Sequence, residues 1–255
     1  MKFKRAAQSF SSYVGWDPRI LVRSLRGTPT LVRTVAEYTR SAKSGGLPIE
    51  WGSLFPIASD LVDHAGQIDG HYFQQDLFVA RRVLQAKPKT HVDIGSRVDG
   101  FVAHLLSTMP VTMVDVRALP SLVEGLSFIQ DDATHLSQFK DGSIASLSSL
   151  HAVEHFGLGR YGDPVDADAD AKAMRSFARV LAPGGRLYFS VPVGRERVEF
   201  NAHRIYDPER ILNRFSSLKL AYFSVIDDAG KLIPDVSPGA YRTLDYGCGM
   251  FEFTK

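Results

Sequence analysis

One cysteine, Cys248, occurs in 255 residues, so no internal disulfide can form and the thiol usage fits a reducing compartment. No apolar run approaches the roughly 20 residues a membrane-crossing helix needs. The N-terminus, MKFKRAAQSF, has the charge of a signal peptide without an apolar segment behind it. These absences point to a cytoplasmic protein. Net charge is only +2, which argues against a general nucleic-acid binder. Internal repeats and low-complexity tracts are also missing.

What is present is ample apolar material, 44% of the chain, enough for one substantial core with an appendage. Residues 1–70 read as a basic helical extension and residues 71–255 as the main domain. The extension carries Lys2, Lys4, Arg5, Arg19, Arg23, Arg26, Arg33, Arg40 and Lys43 against Asp17 and Glu37 within its first 43 residues. Asp17-Pro18 and Thr28-Pro29 each place a capping side chain before a proline at a first helical position. With Gly27 and Gly45-Gly46 as stops, two helices are expected, over about 18–26 and 29–43, followed by a connector.

From residue 72 onward, helices and strands alternate. Helices are expected at about 72–86, 99–107, 168–181 and 208–215. Strands are expected at 91–94, 111–115, 126–129, 143–150 and 186–191, with a closing pair at 218–226 and 248–254. Gly184-Gly185 reads as a tight turn. This alternation implies an α/β, Rossmann-like, doubly wound sheet of seven mostly parallel strands with right-handed crossovers.

The segment His91-Val-Asp-Ile-Gly-Ser-Arg-Val-Asp-Gly100 places a glycine turn at the carboxyl end of the first strand, where such sheets bind nucleoside cofactors. A phosphate-binding P-loop is excluded, because Phe101 and Val102 stand where Lys and Ser or Thr are required. A dinucleotide fingerprint would align Gly95, Arg97 and Gly100, yet its middle glycine exists so that backbone can approach a pyrophosphate. Arg97 at that place, with Asp93 nearby, disfavours NAD(P), which stays as an alternative. S-adenosylmethionine has no pyrophosphate and carries positive charge. Asp93 beside the turn suits that charge, Asp115 suits paired ribose hydroxyls, and Asp132-Ala133 suits the adenine amino group.

The order Asp93-x-Gly95, Asp115, Asp132-Ala133, Val153-Glu154-His155 and Leu181-Ala-Pro-Gly-Gly185 resembles class I S-adenosylmethionine-dependent methyltransferases, over about residues 71–255. Such enzymes commonly carry D-x-G-x-G-x-G, and here Arg97 and Asp99 replace the later glycines. The segments His71 to Asp76, Ser148 to Asp163 and Val198 to Arg204 resemble a bacterial branch associated with polysaccharide biosynthesis. The resemblance implies S-adenosylmethionine as cofactor, held by Asp93, Gly95, Ser96, Arg97, Asp115, Asp132, Ala133 and His151. It implies a sugar or glycan acceptor that is methylated on oxygen.

Within that reading His155 or His151 is the base, with Glu154 to orient the imidazole and Asp163 nearby. Arg160, Tyr161, His203 and Arg204 are candidates to grip the acceptor, and Tyr72 and Gln75 to form a lid. His151-Ala-Val-Glu154-His155 also spells an inverted zincin motif, but Gly157 and Gly159 leave it barely one helical turn, so no metal is expected. Two other readings remain: an NAD(P)-dependent oxidoreductase acting on a nucleotide sugar, and a non-catalytic cofactor-binding or scaffold protein. The arginine-rich extension suggests peripheral contact with the inner face of a membrane or with a lipid-linked glycan.

Overall fold

A computed structural model describes residues 18–62, 70–121 and 123–255. Asp17 and the basic residues Lys2, Lys4 and Arg5 lie outside them. The chain divides into two units, Met1–Gln67 and Ile68–Lys255.

In the first unit, helix α1 runs from Pro18 to Ser41 without a break, with Pro29 inside it. The expected division into two helices is therefore corrected. Thr28 does not cap a new helix, because its hydroxyl donates back to the Ser24 carbonyl at 2.8 Å. Gly27 is not a stop either. A side chain there would collide with the Ala58 backbone carbonyl, so the glycine admits the turn Ser59–Val62 against the helix.

The second unit is built on a sheet ordered β3-β2-β1-β4-β5-β10-β8-β9. Its strands are β1 (His91–Ile94), β2 (Val111–Asp115), β3 (Leu126–Gln130), β4 (Ile144–Leu150), β5 (Leu181–Val193), β8 (Lys219–Ile226), β9 (Leu232–Ile233) and β10 (Gly247–Thr254). The first five strands are parallel to one another, and β10 lies antiparallel between β5 and β8. The sheet thus has eight strands where seven are expected, the addition being the two-residue edge strand β9. A separate hairpin, β6 (Arg197–Glu199) with β7 (His203–Ile205), follows β5.

Helix α2 (His71–Ala86) and the short α3 (Ala103–Leu106) supply one core with the sheet face that carries Leu150, Tyr188 and Met250. Helix α4 (Ala169–Val180) and α5 (Pro208–Arg214) cover the opposite face, where Phe177, Phe189, Phe215 and Phe251 meet. Successive residues Tyr188/Phe189 and Met250/Phe251 thus serve opposite cores, as strand alternation demands. Each such buried side chain contributes about 1.5–3 kcal/mol. The Pro183-Gly184-Gly185 stop expected after α4 lies inside β5, at a register shift against β4.

Strand order reverses between β1 and β4, so their carboxyl ends open the crevice where this architecture places its ligand. The segments leaving those ends are Gly95-Ser96-Arg97 and His151 to Asp163.

Candidate functional site

The turn after β1 is held by its own polar atoms. Gly95 has φ 72°, a conformation open to glycine at little cost. Asp93 has no exposed surface and accepts from Ser96 N at 3.0 Å, Ser96 Oγ at 2.6 Å and, very closely, Ser148 Oγ. Ser96 Oγ accepts in turn from Leu150 N at 3.0 Å, and Ser148 Oγ lies 2.8 Å from His91 Nε2. Burial pushes Asp93 up to about 6, against the pull of the Ser148 and Ser96 hydrogen bonds. Through these bonds Asp93 and Ser96 stitch the turn to β4.

Asp115 ends β2 with both carboxylate oxygens engaged by Arg117, whose Nε and Nη2 donate to Oδ1 and Oδ2 at 3.0 and 2.8 Å. The same guanidinium lies 4.5 Å over the Tyr161 ring. Arg97 pairs with Asp99 at 2.9 Å at the surface and stands 5.4 Å over Tyr72. Asp132 caps the turn after β3, accepting from Thr134 N at 2.8 Å. Ala133 is buried in the core with Val114 and Leu136, so its side chain faces away from any adenine.

After β4 comes the densest group of titratable side chains. His151 takes φ 49°, and Val153–His155 forms one 3-10 turn. Glu154 is fully buried, with Oε1 3.0 Å from His151 Nδ1 and 3.8 Å from His155 Nε2. Burial alone would push His151 down, but Glu154, and after it Cys248, hold it up at about 10. Burial alone would raise Glu154, and His151 draws it below its ordinary range instead. His151 and Glu154 therefore form an ion pair at neutral pH. In that state His151 acts as a donor, because a protonated imidazole has no lone pair to offer.

His155 is lowered by burial, with Glu154 opposing. Its Nδ1 lies 2.6 Å from the Ala202 carbonyl, an acceptor, so the proton sits on Nδ1 and Nε2 keeps its lone pair. Arg160 Nη1 donates to that carbonyl at 2.9 Å, which fixes the same backbone from the other side. His71 stacks on His151 at 4.5 Å, Tyr72 meets His151 edge-on at 5.3 Å, and Tyr246 lies 5.0 Å from His203. His203 Nε2 lies 3.3 Å from Glu199 Oε2, and among the described residues the buried atoms His71 Nε2 and His151 Nε2 have no hydrogen-bond partner.

Three other expected site residues are hydrogen-bonded within the protein. Asp163 accepts from Gly157 N at 2.7 Å and Tyr161 N at 3.1 Å, so it shapes the loop. Arg204 is buried and donates to the Phe156 carbonyl at 2.6 Å, a brace between β7 and the β4 loop. Gln75 is buried and accepts from Ser190 Oγ at 2.6 Å and Cys248 Sγ at 3.3 Å. Tyr72, Arg160, Tyr161 and His203 remain around the cluster. Sequence reasoning missed Arg117 and Tyr246; Arg117 carries a faint signal, a base two residues past the strand-ending acid, and Tyr246 carries none.

A family model described as a Caenorhabditis protein of unknown function, DUF268, matches residues 119–228. No curated protein matches. Solved structures do. The cyclase SpnF aligns with a TM-score of 0.53 at 15% identity, over 71% of this chain and 80% of its own. A Burkholderia thailandensis 1,6-didemethyltoxoflavin N1-methyltransferase, with 1,6-didemethyltoxoflavin and S-adenosylhomocysteine bound, aligns at 0.51 and 16%, over 74% and 80%. The N-methyltransferase NodS from Bradyrhizobium japonicum WM9, in complex with S-adenosylhomocysteine, aligns at 0.51 and 14%, over 73% and 88%. At such identities the likeness is one of architecture, and the chain has the Rossmann-like methyltransferase fold.

Proposed function

We propose that this protein binds S-adenosylmethionine at the carboxyl ends of β1 and β2 and methylates an oxygen of a small-molecule acceptor, a sugar or glycan hydroxyl. The observation that carries the cofactor is Asp115. It presents two carboxylate oxygens to a pair of parallel donors at a strand end beside the glycine turn, and a ribose diol offers such a pair. When bound, the cofactor supplies an electrophilic methyl group on a sulfonium. Two of the similar structures hold S-adenosylhomocysteine, which supports the same cofactor here.

The chain's own contribution is acid–base and positional. Neutral His155, fixed through Nδ1 by Ala202, takes the acceptor's proton on Nε2. The His151 cation, held by Glu154, stabilises negative charge as it develops on the acceptor oxygen. Tyr161, Arg160 and His203 line the approach. The oxygen acceptor and the polysaccharide setting rest on the sequence resemblance alone.

A second reading, a binding or repurposed protein of this fold, is favoured by Arg117 occupying Asp115 and by the cyclase among the similar structures. Calorimetry with S-adenosylmethionine, S-adenosylhomocysteine and NAD separates these readings. The first two ligands are expected to bind and NAD not; Asp115→Ala abolishes binding. His155→Ala spares binding and lowers turnover on a glycan panel by about 10²–10⁴-fold. Binding without turnover on any acceptor selects the second reading, and NAD binding alone overturns both.

A further inference from the structure

Helix α1 carries an unusual distribution of side chains. At 100° per residue, Leu21, Leu25, Val32 and Ala36 fall on one stripe, and Arg26, Arg33 and Arg40 fall on the adjoining one, with Glu37 at its outer side pairing Arg33 at 3.8 Å. The face containing Gly27, Leu31 and Val35 is partly covered, with Gly27 against Ala58. The apolar stripe is open: Leu21 is 50% exposed, Leu25 64% and Val32 64%. Arg26, Arg33 and Arg40 are exposed beside it. The same unit exposes Trp51 at 70% and Phe55 at 84%. Among the described residues no helix is long and apolar enough to cross a membrane.

An open apolar stripe flanked by a row of arginines matches a surface with an apolar interior and an anionic rim. We infer that α1 and the segment after it, within residues 18–62, form a docking surface for an anionic lipid bilayer, with α1 lying in the plane of the interface. The leucine and valine stripe enters the acyl boundary while the arginines meet headgroup phosphates. Trp51 and Phe55 are the kind of side chain that anchors at headgroup depth. A nucleic acid would use the arginines but leave the apolar stripe in water, which is why the bilayer is the better fit.

The test is flotation of the full chain with vesicles of phosphatidylcholine, alone or mixed with phosphatidylglycerol. Binding is expected to the mixed vesicles, to weaken with salt, and to be slight on phosphatidylcholine alone. Each arginine contributes about fivefold, so Arg26→Gln, Arg33→Gln and Arg40→Gln together lower partitioning about a hundredfold. The corresponding three lysine substitutions keep it, which separates lost charge from a lost helix. Leu25→Asp with Val32→Asp abolishes it as well. Unbound mixed vesicles overturn the proposal, as does equal binding to both vesicle types. Undiminished binding by the aspartate variant also overturns it and points to a polyanion-binding strip. Self-association that the aspartate variant abolishes, without vesicle binding, assigns the stripe to a second copy.

Discussion

Asp93 and Glu154 are both carboxylates with no exposed surface at the carboxyl edge of one sheet, yet their surroundings are opposite. Asp93 is enclosed by neutral donors, Ser96 N, Ser96 Oγ and Ser148 Oγ. Glu154 instead has a cation beside it, with Oε1 3.0 Å from His151 Nδ1. Neutral donors leave the burial penalty dominant, so Asp93 is raised; a cation outweighs it, so Glu154 is lowered. The first arrangement fixes backbone shape with every polar atom used. The second holds two opposite charges out of water, with His71 Nε2 and His151 Nε2 beside them buried and unpartnered, the expected condition of a site that awaits a reacting partner.

Glu154→Gln breaks this contrast most strongly. His151 is raised, so its stabilising contribution is complete below its ordinary 6.5 and is lost as pH climbs through about 10. Glu154 is lowered, so its contribution is complete above 4.5 and is lost as pH falls through its folded value. The pair thus favours the fold most between pH 4.5 and 6.5. Breaking it costs about 3–5 kcal/mol there, and the alkaline decline in urea midpoint disappears. An unchanged decline in the variant would remove the ion pair from the account.

Asp93→Asn sharpens the other half. A carboxyl raised from 3.8 to about 6 stabilises the fold fully below pH 3.8 and loses about 3 kcal/mol by pH 6. The asparagine variant should lose that slope between pH 4 and 6 while keeping the turn and the cofactor affinity. A collapse of affinity at constant stability would show Asp93 to be a direct contact after all.

The smallest effect is expected at Arg117. Half-exposed, its pair with Asp115 is worth about 1 kcal/mol or less. If Arg117 stands where a ribose would, Arg117→Met should tighten S-adenosylmethionine binding by about two- to fivefold in calorimetry. Weaker binding would make Arg117 part of the cofactor contact rather than its competitor.

Much of the main domain was legible because its signals are local. Short apolar runs ending at Gly95, Asp115 and Asp131, separated by helical stretches, give β1 to β4 nearly to the residue, whereas β5 starts five residues before the expected 186. The closing strand pair was visible at 218–226 and 248–254, and the structure makes it antiparallel. The extension misled because Gly27 and Pro29 are helix breakers in isolation; contact between Gly27 and Ala58 turns one of them into a packing notch. The position of His155 and Glu154 just after the fourth strand could be read from the sequence. The roles of Gln75, Asp163 and Arg204 could not, since their partners lie 115, 6 and 48 residues away and no spacing rule connects them.

The sequence by itself determined the alternation of strands and helices, the glycine turn after β1, and which acidic and imidazole groups lie near the switch point. Those follow from hydrophobic period and backbone freedom, which act over a few residues. Only the tertiary structure decided which of these groups is spent on shape and which stays chemically available. Protonation, tautomer and hydrogen-bond commitment depend on burial and on neighbours from distant strands. Asp93 and Glu154 are alike in chemical type, and they differ because β4 brings Ser148 to one and the residue just past its end, His151, to the other.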